Sequence, residues 1–209
     1  MSNSKLTTRN SQLISWGSEV LKKEIGALQK ACAALGKDFE NAVKAIKSCR
    51  GKVVITGLGK SGHIGRKAAA TFSSLGIPAV LLHSAEALHG DIGIVQKGDV
   101  MVAISHSGKA LEILQIIDAT KKLKVPVIAI TGNPVSPLAS CSTIVLNTGV
   151  TSEADHLNLA PTASSTVTLT LLDALAVAVA RSRGFTTADF AKLHPAGALG
   201  KKARKKGGE

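Results

Sequence analysis

The sequence predicts an α/β protein: a five-stranded parallel sheet in strand order 2-1-3-4-5, with helices on both faces and an N-terminal helical extension. Two observations carry this. From residue 53 onward, short apolar runs alternate with longer segments of helical character, the pattern of a parallel sheet covered on both sides. Three of the runs end in short polar turns. Val53-Val54-Ile55 precedes Gly57-Leu58-Gly59-Lys60-Ser61-Gly62, Val100–Ile104 precedes Ser105-His106-Ser107-Gly108, and Val125–Ile130 precedes Thr131-Gly132-Asn133-Pro134. In a parallel sheet the carboxyl ends of all strands point the same way, so these turns gather on one edge, where open α/β sheets bind ligands.

Taken in order, residues 10–35 read as a helix. Leu21, Ile25, Leu28, Cys32 and Leu35 alternate spacings of four and three, a heptad-like stripe that suits packing on the domain or on another subunit equally well. A second helix near 38–48 leads into the first strand. Strands are expected at 53–57, 78–83, 99–105, 126–131 and 143–147, with helices at 61–75, 109–123, 136–140 and 161–183. The order 2-1-3-4-5 puts the switch point between strands one and three, with Gly57–Ser61 beside Ser105–Gly108. No repeat, long linker or second domain interrupts the chain. Residues 1–209 read as one domain: N-terminal helices 10–48, an α/β core 52–183, a C-terminal segment 184–200 and a basic tail 201–209.

Composition narrows the function. The 44% hydrophobic content fits a folded core, and with only 2% aromatic residues aliphatic side chains must fill it. No apolar run reads as long enough to span a membrane, and Met1-Ser2-Asn3-Ser4-Lys5 is not a signal peptide, so a cytoplasmic protein without a membrane partner is expected. Cys32, Cys49 and Cys141 are spaced for neither a disulfide framework nor a zinc clip, and the six histidines show no metal-ligand spacing. No metal is expected. The net charge of +12 raises the question of nucleic acid, but part of the excess lies in Lys201-Lys202-Ala203-Arg204-Lys205-Lys206, which reads as a solvated end, and basic residues are not interleaved with aromatic ones. No nucleic-acid partner is expected; a positive field also attracts an anionic small molecule.

The turns point to a phosphate. Glycine lets the backbone approach an anion closely, and hydroxyls with free N–H groups at a helix start hold one. Gly57-x-Gly59-Lys60-Ser61 is not a Walker loop. It also fails the dinucleotide fingerprint, because strand two ends at His83-Ser84 without an acidic residue. No nicotinamide or other cofactor is expected. Ser105 and Ser107 flank a turn before a helix, where one serine is free to cap and the other to bind. Ala160-Pro161-Thr162-Ala163-Ser164-Ser165-Thr166 opens the long helix with more hydroxyls than a cap needs. Glu153, in a loop just upstream, is a candidate base if it lies at a sugar-binding edge.

These blocks resemble a known family. Gly57–His63, Ala85-Glu86-Ala87-Leu88-His89-Gly90-Asp91, Ser105–Gly108, Thr131-Gly132-Asn133, Leu159–Thr162 with its hydroxyl run, and His194-Pro195-Ala196-Gly197-Ala198-Leu199-Gly200 are similar to the sugar isomerase (SIS) domain family, and within it to the D-arabinose 5-phosphate isomerases. The resemblance covers residues 10–200 and implies a three-layer α/β/α SIS fold. It also implies interconversion of D-ribulose 5-phosphate and D-arabinose 5-phosphate, supplying 3-deoxy-D-manno-octulosonate for lipopolysaccharide or capsule, in a cytoplasmic homotetramer. It carries functional roles onto Lys60, His89, Glu112, Glu153 and His194. The sugar phosphate itself is expected to meet Gly59, Ser61, Ser105, Ser107, Thr131, Thr162 and Ser165. His194 and Glu153 lead as acid–base groups, His194 with the option of reaching a neighbouring subunit's site. His89 would polarise the substrate oxygens, Lys60 neutralise charge, and Glu112 orient Lys60 or accept a sugar hydroxyl. Two features depart from the family: the chain ends without the pair of CBS domains typical of relatives, so regulation through them is expected to be absent, and Lys109 stands where relatives carry Glu. The rival readings are a non-catalytic SIS-type sugar-phosphate sensor and an isomerase of another sugar phosphate.

Overall fold

A computed structural model describes residues 3–207, with side chains from residue 12 onward. Five strands, β1 (Val53–Gly57), β2 (Ala79–His83), β3 (Val100–Ile104), β4 (Val127–Thr131) and β5 (Ile144–Asn147), form one parallel sheet in the order β2-β1-β3-β4-β5. The three central strands are buried along their whole length, which is why they are mostly apolar runs, with Thr56 and Thr131 near their ends, rather than alternating ones. The edge strands β2 and β5 are only half-buried.

Helices cover both faces. Helices α2 (Lys37–Lys47), α3 (Lys60–Ser74) and α7 (Ala163–Ser182) close one side, around Ile46, Phe72, Ile55, Val102, Ile128 and Leu172. On the other side α5 (Leu111–Thr120) and the short α6 (Pro137–Ser140) bury Ile113, Ile116 and Leu138 against Val54, Met101 and Ala129. Helix α3 lies unusually close to the sheet because glycines line its contact face. A Cβ on Gly65 would stand 3.2 Å from both Ile55 Cγ2 and Leu81 Cδ1, and one on Gly62 would stand 2.8 Å from the Gly57 carbonyl oxygen. The glycines of this turn therefore serve helix–strand contact, and Gly59 alone has a positive φ, +54°.

Several elements differ from expectation. The helix expected at 109–123 is shorter, because the serine turn runs on to Ala110; a 3-10 turn at Lys121–Leu123 follows and is stopped by Lys124 in the left-handed region. A short helix α4 (Ser84–Ala87) and a 3-10 turn (Asp91–Ile94) shape the segment after β2. Helix α7 corrects the expectation that nothing is long enough to span a membrane: an 18-residue stretch of this 20-residue helix has a mean hydropathy of 1.6. Thr and Asp residues break its apolar run, yet length and composition suffice; in this fold it is the central helix, packed by α1 (Asn3–Ala33), α2 and α3.

Both ends are more ordered than the sequence suggests. Helix α1 spans Asn3–Ala33 and packs on the segment before α7 through Val20, Ala27, Leu28 and Ala31, against Val150, Ala154, Ala163 and Val167. Glu24 on α1 accepts a 3.0 Å hydrogen bond from Thr166 Oγ1. The heptad-like stripe is offset from this face. Leu28 joins the contact, whereas Leu21, Ile25 and Leu35 stay exposed. The solvated basic tail is corrected as well. Residues 197–207 form helix α9, folded back on α8 (Thr187–Leu193) with Gly200 and Ala203 buried and the lysines outward; the last two expected tail residues lie outside the described residues. The tight return explains Gly200, since a Cβ there would collide with the His194 carbonyl oxygen.

Gly62→Ala is predicted to destabilise the fold by ~2 kcal/mol, lowering Tm by about 4–8 °C, because the added methyl meets a backbone carbonyl that cannot rotate away. Gly93→Ala, which meets open space, is the control and should stay within about 0.5 kcal/mol. Thermal melts of the two variants decide it.

Candidate active site at the carboxyl edge of the sheet

The turns after β1, β3 and β4 meet at one edge. Between them and the start of α7 lies a cavity of about 200 Å³, lined by Leu58, Lys60, Ser61, Ile64, His106, Pro161, Ser164, Ser165 and Thr168. Three other cavities are larger: about 460 Å³ beside α5 and α6, about 470 Å³ between α1 and residues 154–156, and about 320 Å³ between residues 31–39 and β5. None of them gathers the glycine turn, the lysine and the hydroxyls. Helices α3 and α7 both begin at this cavity, and neither N-cap residue offers a side-chain hydrogen bond to its own helix. At α3 this leaves N–H groups for an anion, whereas at α7 the Thr162 and Ser164 N–H groups are taken by Glu153.

Of the expected site residues, Lys60, Ser61 and Ser165 line this cavity. Gly59 lies beside them in the β1–α3 turn, where its positive φ sets the entry of α3. The others serve differently. Ser105 Oγ accepts from Gly108 N–H at 3.1 Å, and Ser107 Oγ accepts from Lys109 N–H at 3.3 Å, so both hydroxyls brace their own turn. Thr131 is fully buried; its Oγ1 donates to the His106 carbonyl and accepts from Asn133 N–H, each at 3.1 Å. Thr162 Oγ1 accepts from Ala154 N–H at 2.7 Å. His89 follows α4 and is exposed; Glu112 lies half-buried in the first turn of α5; neither borders the cavity.

Glu153 is saturated with donors. It accepts from Thr162 N–H at 2.8 Å, Thr162 Oγ1 at 3.2 Å, Ser164 N–H at 3.1 Å and the Ser164 hydroxyl. Partial burial pushes its carboxyl up, but the Ser164 and Thr162 donors outweigh it and hold Glu153 below the ordinary glutamate value. Glu153 thus caps α7 from a distant loop.

His194 lies elsewhere within the chain. Its Nε2 is 2.9 Å from Ser74 Oγ, its Nδ1 is 2.8 Å from the Phe190 carbonyl, and its ring stacks on Phe190. A carbonyl only accepts, so Nδ1 carries the hydrogen. Ser74 ends α3 at the pole opposite Lys60, some 20 Å away at 1.5 Å per residue.

Sequence reasoning missed His106, Ser164 and Thr168 as cavity residues. Pro161, Ser164, Ser165 and Thr168 follow the i, i+3, i+4, i+7 rule of one helix face, which was there to be read. His106 stood inside a motif read only for its serines. Among the described residues no group of three or more His, Cys, Asp or Glu side chains is placed to hold a metal ion.

The sheet order, the glycine turn and the edge cavity define a class. The SIS domain profile matches residues 46–178, and the chain belongs to the SIS domain family. It is 45% identical over 195 residues to arabinose 5-phosphate isomerase KdsD of Pseudomonas aeruginosa, covering 93% of this chain and 60% of that protein. It is 49% identical over 185 residues to KdsD of Escherichia coli K12, covering 86% of this chain and 56% of that one. The chain thus spans less than two thirds of the length of these relatives. Its fold matches an E. coli CFT073 protein, c3406, solved in complex with arabinose 5-phosphate, at a TM-score of 0.86 and 42% identity over 89% of this chain and 99% of that one.

Glu153→Gln is predicted to cost about 1–2 kcal/mol at neutral pH, as cap losses do. The folded carboxyl titrates below its ordinary 4.5, so its contribution is complete above about pH 4.5 and fades as pH falls through the lowered folded value. Urea melts should show the gap between variant and wild type closing across that acid range.

Proposed function

We propose that this chain interconverts D-ribulose 5-phosphate and D-arabinose 5-phosphate, supplying 3-deoxy-D-manno-octulosonate synthesis for lipopolysaccharide or capsule in the cytoplasm. The observation that carries it is the edge cavity, with Lys60, Ser61, Ser164 and Ser165 converging between two helix starts, in a fold shared with the relative that binds arabinose 5-phosphate. The phosphate end would sit there, letting remote binding energy orient the reacting carbons. The isomerisation shifts a proton between C2 and C1 and hydrogens between the two oxygens, through a cis-enediol. It is redox-neutral within the substrate and calls only for a base, a donor to the oxygens and exclusion of water.

Lys60 supports charge at the phosphate or enediolate. His89 and Glu112, on neighbouring segments of the same edge, are the groups for the oxygens and the sugar hydroxyls. Glu153 is better placed as a positioning residue than as the base, because a carboxylate held by four donors and lowered in pKa is a weak proton acceptor. His194 retains an acid–base role only from a second copy of the chain, since its own site is the far pole. A homotetramer supplies that copy, and the exposed Leu21 and Ile25 on α1, with Leu35 just beyond its end, are the surface we assign to assembly.

The assay uses purified protein and D-ribulose 5-phosphate in chelator, with chromatographic identification of the aldose phosphate. D-arabinose 5-phosphate should form, and Lys60→Ala should lose about 100-fold or more in kcat/KM. A folded protein that binds the sugar phosphate without turnover would favour the sensor reading. Co-expression of Lys60→Ala and His194→Ala chains tests the shared site: activity should recover to roughly a quarter of wild type if His194 acts across subunits, and stay at the level of the single variants if it does not. Light scattering should give four times the 21.4 kDa chain mass, and Leu21→Glu with Ile25→Glu should lower both mass and activity.

A further inference from the structure

The turn Ser105–Gly108 uses its serine oxygens as acceptors for its own backbone, and the side chain it gives the cavity lining is its histidine. The His106 carbonyl is fixed by Gly132 N–H at 2.9 Å and by Thr131 Oγ1 at 3.1 Å. Its ring lies against Gly132: a Cβ there would collide with the imidazole Cε1 and stand 2.5 Å from Nδ1, and the three nearest atoms it would meet all belong to that ring. Gly132 is small so that this ring can sit where it does. Neither ring nitrogen has a hydrogen-bond partner among the described residues, and the ring is solvent-exposed at the cavity wall.

The cavity has two side chains able to carry positive charge, Lys60 and His106, and no carboxylate in its lining. From α3 the ring shares the cavity with Lys60. From α7 it meets only hydroxyls, with Glu153 behind Ser164 and engaged by it. The β4–α6 turn contributes uncharged Gly132, and the ring's own turn is followed by Lys109. A phosphomonoester carries about −1.5 to −2 charges near neutrality, so one lysine leaves it under-compensated. Resting on the reading of this cavity as the phosphate end of a sugar-phosphate site, we propose that the His106 imidazolium is the second cationic ligand of the substrate phosphate, seated by Gly132, and that it makes affinity for dianionic phosphates fall as pH rises through the imidazole range. Histidine is the side chain whose charge changes there.

The test uses calorimetry with D-arabinose 5-phosphate and with inorganic sulfate, a dianion whose charge is constant between pH 5.5 and 8.5 to within about a percent. Wild type should bind sulfate progressively more weakly as pH rises, and His106→Ala should bind both ligands about 10-fold more weakly at pH 6 and lose that slope. Gly132→Ala should weaken binding several-fold by displacing the ring, yet add nothing in a His106→Ala background. In turnover, His106→Ala should raise KM with kcat nearly kept. An unchanged KM, a loss confined to kcat, or a Gly132→Ala effect that persists without His106 would each overturn the proposal. A wild type that binds sulfate with a His106-dependent slope but turns nothing over would sink the isomerase reading and leave this one standing; active enzyme with an indifferent His106→Ala would do the reverse.

Discussion

The closeness of α3 to the first strand governs the rest of the molecule. Gly57 and Gly62 let the carbonyl end of β1 touch the first turn of the helix that follows it, and Gly65 continues the contact down to Ile55 and Leu81. A helix seated this near the sheet presents Lys60 and Ser61 beside the strand ends, inside the ring of turns rather than above it. The same closeness explains why the motif misleads when read as a dinucleotide fingerprint. Its glycines answer to packing between helix and strand, and packing alone does not select a ligand.

The other wall of the cavity is α7, and its start is fixed from afar. Glu153 reaches from the loop after β5 to the N–H groups of Thr162 and Ser164, while Glu24 on α1 ties Thr166. A carboxylate at a helix N-terminus is favoured by the unsatisfied N–H groups and the helix dipole. Because that carboxylate already occupies part of the helix start, an anion in the cavity would meet α7 through the Ser165 and Thr168 hydroxyls that line it, and α3 through its backbone. This division explains how two helix starts serve one small site without both claiming the ligand's charge.

Much of the architecture was legible beforehand, for a physical reason. Strands buried on both faces read as largely apolar runs, and β1, β3 and β4 do. The order β2-β1-β3-β4-β5 followed from the chain reversing across its switch point. Less legible was which hydroxyls face a ligand and which serve the backbone. Ser105, Ser107, Thr131 and Thr162 have the composition of a phosphate loop, but Ser, Thr and Asn side chains compete for nearby backbone groups, and only geometry says who wins. His106 was hidden by the same habit of reading. Its meaning depends on Gly132, 26 positions later, whose lack of a side chain shows only when β3 and β4 are placed side by side. The basic C-terminal helix escaped notice because its charge pattern overrode the small residues, Gly200 and Ala203, that seat it.

On the proposed isomerase reading, with Lys60 and His106 assigned to the phosphate, the small cavity lined within a single chain is left with hydroxyls and no proton acceptor for carbon. Glu112 and His89 stand on the same edge outside that cavity, open to solvent on at least one side. Enediol chemistry needs water kept away from the reacting carbons. Exposed Leu21 and Ile25 along α1, next to the loop that carries Glu153, are the surface that the proposed assembly would bury. Closure of the outer half of the site by a neighbouring copy would satisfy both demands at once. It would cover an apolar helix face that water otherwise touches, and it would bring a histidine that its own chain keeps at the opposite pole to a place where a proton has to move.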